Sequence, residues 1–272
     1  DSYYCSSIFP VNKEQIQCFK NSLELAFKNA FQKYTNMDIL FLNVKKQNDF
    51  LNSVYFSDKN ILNADLWTSH PNQTTLNITR LFYLSDSQIS SNQLIPRFQS
   101  LPLDEQLKNI HDKNIVFVDD DIASGKTVEM VKQLLPTSTK IEEIISLSQQ
   151  SFYEEFNFEQ SYNFHDIVDF RDFLIGSKEG GLTVQLPNNE IGKAPYVWPY
   201  VSLSHRAKLP HISQRDFSLS IWKANKDFFE SFVSPIYIKD TFIGFRKLAY
   251  SLGFTDEMKM SEFCQIHIDL IK

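Results

Sequence analysis

Glycine is the scarce residue of this chain. Its 272 residues include 7 glycines, and Gly125 is the only one before Gly176. A chain so sparing places a glycine where the backbone must take positive φ or come close to a ligand. Cysteine is scarce as well. Cys5, Cys18 and Cys264 lie far apart, with no Cys-x-x-Cys pair and no histidine beside them at metal-ligand spacing. That pattern excludes a disulfide framework, and it predicts reduced thiols and a cytoplasmic setting. The histidines show no H-x-x-x-H spacing, which argues against zinc on a helix. No run of 18 apolar residues occurs and no secretory leader opens the sequence, so neither membrane insertion nor export is expected. Positive charge is not in excess: 27 Lys and Arg against 33 Asp and Glu leave a net charge of −6. A broad basic surface for nucleic acid is therefore not indicated, although a local groove stays open.

Aromatic residues are abundant, with 24 Phe and 11 Tyr, and they imply a large aromatic core. The length suits one large α/β domain, or a core of about 150 to 200 residues with additions. Residues 12–34 give the clearest helix. Asn12 and Gln15 form a capping box, and Ile16, Phe19, Leu23, Phe27 and Ala30 keep helical spacing. Residues 38–44 read as a buried strand leading to Lys45 and Lys46, then a helix with Phe50, Leu51, Val54 and Tyr55 inward. Residues 59–74 read as a polar loop, 75–84 as a strand, and 85–92 as a hydroxyl-rich loop, either a lid or plain surface. A short helix over 103–110 and a strand over 140–147 complete an alternation that predicts βαβ crossovers in an open parallel sheet.

After residue 150 the character changes. Residues 166–175 mix apolar anchors with Asp169, Arg171 and Asp172, and four of the seven glycines fall between 176 and 192. Residues 182–190 read as a hairpin and 195–200 as a rigid aromatic and proline loop. From Ser213 the chain reads as helical, with Gly253 as a helix stop. His205, Arg206, Lys208 and His211 form a small basic cluster, either a phosphate contact or a solvated loop.

The most informative stretch is residues 114–127, NIVFVDDDIASGKT. Ile115 to Val118 is a short apolar, β-branched run, the signature of a strand buried on both faces of a parallel sheet. Acids at its end cannot stay in that core, so they emerge at the sheet edge where open α/β folds bind ligands. Residues 123–127 then make a tight turn, with Ser124 or Thr127 able to cap the next helix. A small-residue turn at a helix N-terminus offers unpaired N–H groups to a phosphate. Asp119, Asp120 and Asp121 offer hard oxygens to sugar hydroxyls or Mg²⁺. A P-loop is excluded, because its first glycine would fall at position 120, which is Asp120.

This stretch resembles the PRPP-binding signature of the type I phosphoribosyltransferases: an apolar strand, an acid pair, then a small Ser/Thr-Gly-x-Ser/Thr loop. The resemblance covers about 14 residues and rests on their order and spacing. It implies that Asp119 and Asp120 hold the ribose hydroxyls of 5-phosphoribosyl 1-pyrophosphate (PRPP). It implies that Ala123, Ser124, Gly125, Lys126 and Thr127 bind the 5′-phosphate, and that Mg²⁺ joins the pyrophosphate to the ribose near Asp119 and Asp120. Lys45 or Lys46 would add charge for the pyrophosphate, although no glycine lies there, as the family's pyrophosphate loop usually requires. Asp169, Arg171 and Asp172 are candidates for base recognition. Ala123 sits where some purine-specific relatives carry an acid, and its methyl group transfers no proton.

The implied architecture is α/β, an open parallel sheet of the type I phosphoribosyltransferase kind. An N-terminal helical segment (1–35) would precede the core (36–150). A hood-like or base-recognition segment (151–212) and a C-terminal helical extension (213–272) would follow. The implied activity is transfer of a 5-phosphoribosyl group between PRPP and a nitrogenous base with Mg²⁺. The alternative is a module that binds PRPP or a nucleotide without transfer, or cleaves a nucleotide glycosidic bond, and acts with a partner. The C-terminal extension could then serve a homo-oligomer or a protein partner.

Overall fold

A computed structural model describes residues 9–34, 39, 44–53, 59–85, 88–110, 114–122, 125–148, 170–178, 180–202 and 209–272. In chain order, helix α1 spans Lys13–Tyr34 and α2 spans Val44–Leu51. Strands β1 (Asn60–Asn63), β2 (Gln73–Thr75), β3 (Ile78–Ser85) and β4 (Gln88–Pro96) follow, then helix α3 (Leu103–Leu107). Strand β5 (Asn114–Asp119), helix α4 (Lys126–Leu134) and strand β6 (Lys140–Ser146) come next. Strands β7 (Leu182–Gln185) and β8 (Ile191–Ala194) precede α5 (Gln214–Glu230), α6 (Ile243–Ser251) and α7 (Met260–Ile271). Among the described residues, no helix is long and apolar enough to cross a membrane.

The chain divides into two compact units, one of residues 40–81 and 92–167, the other of 1–39, 82–91 and 168–272. The first is an α/β layer structure around a four-stranded sheet of order β2-β1-β5-β6. Every pairing in it is parallel. Side chains alternate across the sheet, so Ile115 and Phe117 join one apolar cluster while Val116 and Val118 join another. Helix α4 covers the first face through Val128 and Val131, helped by Leu107 of α3. Helix α2 covers the second through Leu51 and Phe50. Burial on both faces explains why β5 is apolar without a break until Asp119.

The second unit is built on α1, the α5 to α7 region, β7 and β8, and residues 82–91 of β3 and β4; the four strands pair in the order β4-β3-β7-β8. Its core is aromatic. Phe27 meets Phe173 at 5.2 Å and Phe217 at 4.8 Å, both edge to face. The capping box at the start of α1 is present: Gln15 N–H donates to Asn12 Oδ1 at 2.9 Å, and Asn12 N–H donates to Gln15 Oε1 at 3.0 Å. The hairpin over residues 182–190 is present as the antiparallel pair β7 and β8. Gly253 ends α6 as expected, with its N–H on Tyr250 O at 3.0 Å and the Phe254 N–H on Ala249 O at 3.0 Å, the paired bonds of a Schellman motif.

Several expected elements differ. Residues 60–63 and 73–74, read as part of a polar loop, belong to strands β1 and β2, and Thr75 at the start of the expected next strand ends β2. The polar Asn63 is tolerated inside because its Nδ2 donates to Thr68 O, Thr68 Oγ1 and Gln73 Oε1 at 3.1, 3.2 and 2.9 Å. The single strand expected over 75–84 is broken at Leu76 and Asn77, and β3 belongs to the other sheet. The loop expected over 85–92 carries the first half of β4. The strand expected over 38–44 lies almost wholly outside the described residues, and Val44 at its end is helical.

Candidate functional site

Strand β5 ends at Asp119, where its apolar run stops. By the alternation of the strand, Asp119 follows Ile115 and Phe117 toward the α4 face. Asp119, Asp120 and Asp121 are all half-buried. The turn is tied by its own carboxylates: Asp120 N–H donates to Asp119 Oδ1 at 3.1 Å and Asp121 N–H to Asp120 Oδ1 at 2.8 Å. The Asp120 carbonyl accepts the Ser148 N–H at 3.0 Å, and the Ser148 Oγ accepts Gln47 Nε2 at 3.3 Å. Helix α2 is thereby linked to the acid turn through two hydrogen bonds.

The electrostatics of the pair follow from this packing. Burial, then the adjacent Asp120 charge and a bond between the two side chains, hold the Asp119 carboxyl well above the usual carboxylate range. The Arg97 guanidinium and the Asp120 N–H pull the other way without reversing it. Two carboxylates this close form an electronegative site that favours a cation or hydroxyl donors.

After the acids the chain reaches Gly125, with φ of +69°, in the N-cap position of α4. Among the described residues no side-chain cap bond is seen, so Thr127 does not act as the expected cap, and Ser124 lies outside the described residues with Ala123. Thr127 is instead the second helical residue, half-buried, and Lys126 before it is exposed. The first-turn N–H groups lack intrahelical acceptors, as at any helix start. A Cβ built on Gly125 would meet nothing within 4 Å. Glycine is needed here for its backbone angle and leaves open space at the helix start.

Ser146 was not among the expected site residues. It is the β6 residue paired with Asp119 across the parallel ladder, so it lies on the same face and at the same end of the sheet. It is 6% exposed, and its hydroxyl is buried with no hydrogen-bond partner among the described residues. Such an orphan costs about 1–3 kcal/mol. Its signal in the sequence was a polar Ser-Leu-Ser step at the C-terminal end of an apolar strand.

The remaining candidates are placed as follows. Lys45 and Lys46 are exposed in the first turn of α2, and Lys45 holds Asp49 at 2.9 Å. Arg171 and Asp172 are half-buried in a 3-10 turn over Phe170–Phe173 of the other unit, where the Asp172 carbonyl accepts the Gly181 N–H at 2.8 Å. Asp169 lies outside the described residues, as do His205, Arg206 and Lys208. The loop beyond β1, the strand beside β5, closes on itself: Asp65 Oδ2 accepts the Thr68 N–H at 2.8 Å and hydroxyl at 2.7 Å. Residues 64–70 contain no Lys or Arg. Among the described residues, no cluster of three or more His, Cys, Asp and Glu is placed to hold a metal ion.

The chain matches no family model, and no curated protein or solved structure is similar to it. Function must therefore be argued from the residues themselves.

Proposed function

We propose that the chain acts on PRPP, transferring its 5-phosphoribosyl group to or from a nitrogenous base with Mg²⁺. The observation that carries this reading is the succession, between Asp119 and Gly125, of an acid pair at the end of β5 and a helix start opened by a glycine at positive φ. An acid pair suits a ribose diol. A helix start with N–H groups free of intrahelical acceptors, and open space at its glycine, suits a 5′-phosphate. Asp119 and Asp120 would orient the ribose, and the backbone of Gly125, Lys126 and Thr127, with Ala123 and Ser124 before them, would fix the phosphate. Positive charge that builds on the sugar during transfer would be stabilised by the same carboxylates.

Mg²⁺ fits this donor set, because burial and the neighbouring Asp120 charge raise the proton affinity of the Asp119 carboxyl, and a hard divalent cation relieves that strain. Asp119 and Asp120 would hold it, with oxygens of the substrate and water completing the shell. When bound, it supplies charge neutralisation for the phosphates. The residues of the chain would position the sugar.

The second reading is a module that binds PRPP or a nucleotide without transfer, or cleaves a nucleotide glycosidic bond. Two observations favour it: the loop beyond β1 carries no Lys or Arg, and Lys45 is engaged by Asp49. Release of pyrophosphate from PRPP with Mg²⁺, tested against a panel of purine and pyrimidine bases, separates the readings. Release that requires a base and is lost in Asp119→Asn supports transfer. PRPP binding without release for any base overturns transfer in favour of the module.

A further inference from the structure

We infer that Ser146 is a positioning residue of this site, its hydroxyl serving as the hydrogen-bond donor that fixes the Asp119 carboxylate when a ribose ligand engages it. The inference rests on the proposed ribose-phosphate reading and assigns a role to a residue outside the acid pair and the helix turn. Three observations support it. Ser146 and Asp119 are ladder partners, so their side chains leave the sheet on the same face, side by side, at its C-terminal edge. The Ser146 hydroxyl is buried and has no partner among the described residues, an arrangement that proteins seldom leave without use. The Asp119 carboxyl, for its part, is tied within its own turn, by the Asp120 N–H on Oδ1 at 3.1 Å and by the Asp120 side chain, and the next strand brings Ser146 beside it.

A ligand diol that draws on Asp119 competes with the contacts to Asp120 inside the turn, and a further donor keeps the plane of the carboxylate fixed when they loosen. A donor from the next strand holds it without adding charge. Ser146 is also rigidly placed. Strand β6 pairs with β5 from residue 140 to 146, and two residues on, the Ser148 N–H is bonded to the Asp120 carbonyl at 3.0 Å. Both ends of the contact therefore ride on the same hydrogen-bonded framework.

The test compares wild type, Ser146→Ala, Ser146→Thr, Asp119→Asn and the Ser146→Ala/Asp119→Asn double variant. Thermal unfolding is measured without ligand, and calorimetric titration with PRPP and Mg²⁺. Ser146→Ala should unfold at or above the wild-type temperature, since it removes an orphaned hydroxyl, and should bind PRPP about 10- to 100-fold more weakly, the range for a hydrogen bond to a charged group. Ser146→Thr, which keeps the hydroxyl on a β-branched strand residue, should retain near wild-type affinity. In the Asp119→Asn background the loss from Ser146→Ala should largely vanish, because the two act as one unit. Equal affinity of wild type and Ser146→Ala would overturn the inference while leaving the ribose-phosphate site intact. So would a lowered unfolding temperature in Ser146→Ala, or full additivity with Asp119→Asn. Failure of wild type to bind PRPP with Mg²⁺ would overturn the underlying reading and this inference with it.

Discussion

Replacing Gly125 by alanine separates the two reasons a glycine can be needed. At φ of +69° an L-residue is strained by about 1–2 kcal/mol. Alanine restricts the unfolded chain and returns about 0.4–1 kcal/mol of that. A built Cβ meets nothing within 4 Å, so no steric cost is added. The net loss should be about 1 kcal/mol, a fall in Tm of about 2–4 °C for a protein of this size. The same methyl group occupies the space over the first turn of α4 where the phosphate is proposed to sit. PRPP affinity should therefore fall by at least about tenfold, or about 1.4 kcal/mol, beyond the loss in stability. Gly181→Ala is the contrast. Its φ is +80° and its Cβ would lie 2.1 Å from the Ala194 carbonyl oxygen, so backbone must move. That overlap should add about 1–3 kcal/mol to the strain and leave PRPP affinity unchanged in the protein that still folds. Chemical denaturation and calorimetric titration of both variants read the two quantities separately. Unchanged PRPP affinity in Gly125→Ala, or a loss of stability matching that of Gly181→Ala, would refute the reasoning.

Three further outcomes follow from the second unit. His267 stacks on Trp222 at 4.3 Å, with Nδ1 2.8 Å from the Phe263 carbonyl and Nε2 2.7 Å from the Tyr200 hydroxyl. A carbonyl only accepts, so Nδ1 carries the proton and Tyr200 donates to Nε2. Burial lowers the His267 pKa, so the unfolded chain takes up the proton first. Stability should fall as pH drops below about 6.5, by at most about 1.4 kcal/mol per pH unit from this residue, and His267→Phe should remove that dependence in denaturation curves between pH 5 and 7. Asn225, fully buried, accepts the Ile175 N–H at 2.9 Å and donates to Phe173 O and Ile221 O at 2.9 Å each. Asn225→Leu orphans a buried N–H and a carbonyl and should cost about 2–5 kcal/mol by urea denaturation. Asn12→Ala removes one half of the α1 capping box and should cost about 1 kcal/mol in the same assay.

The elements read correctly from the sequence were those whose local chemistry and burial agree. Helix α1 has a capping box and an apolar stripe, and β5 is a run of β-branched and aromatic residues bounded by charge. Strand β1 was missed because it is short and carries asparagine at both ends, and only the Thr68 and Gln73 contacts make Asn63 acceptable inside. The break between β2 and β3 was hidden for a related reason. The Leu76 N–H turns to the Asn63 carbonyl at 2.8 Å and Ile78 begins a strand of another sheet, a long-range decision that local propensity does not carry. At the site, Asp119, Asp120 and Gly125 were legible because acids at a buried strand's end and a lone glycine are visible in one dimension. Ser146, Ser148 and Gln47 were not, because their relation to the acids runs through strand pairing and through helix α2 packing on the sheet.

The central claim is that one turn binds a ribose through acids and its phosphate through a helix start. Calorimetric titration of PRPP with and without Mg²⁺ into wild type and into Asp119→Asn/Asp120→Asn tests it most directly. The account predicts heat that requires both Mg²⁺ and the acid pair, with inorganic phosphate competing. No heat with PRPP and Mg²⁺ from a folded wild-type protein, or equal heat from the double variant, would contradict it.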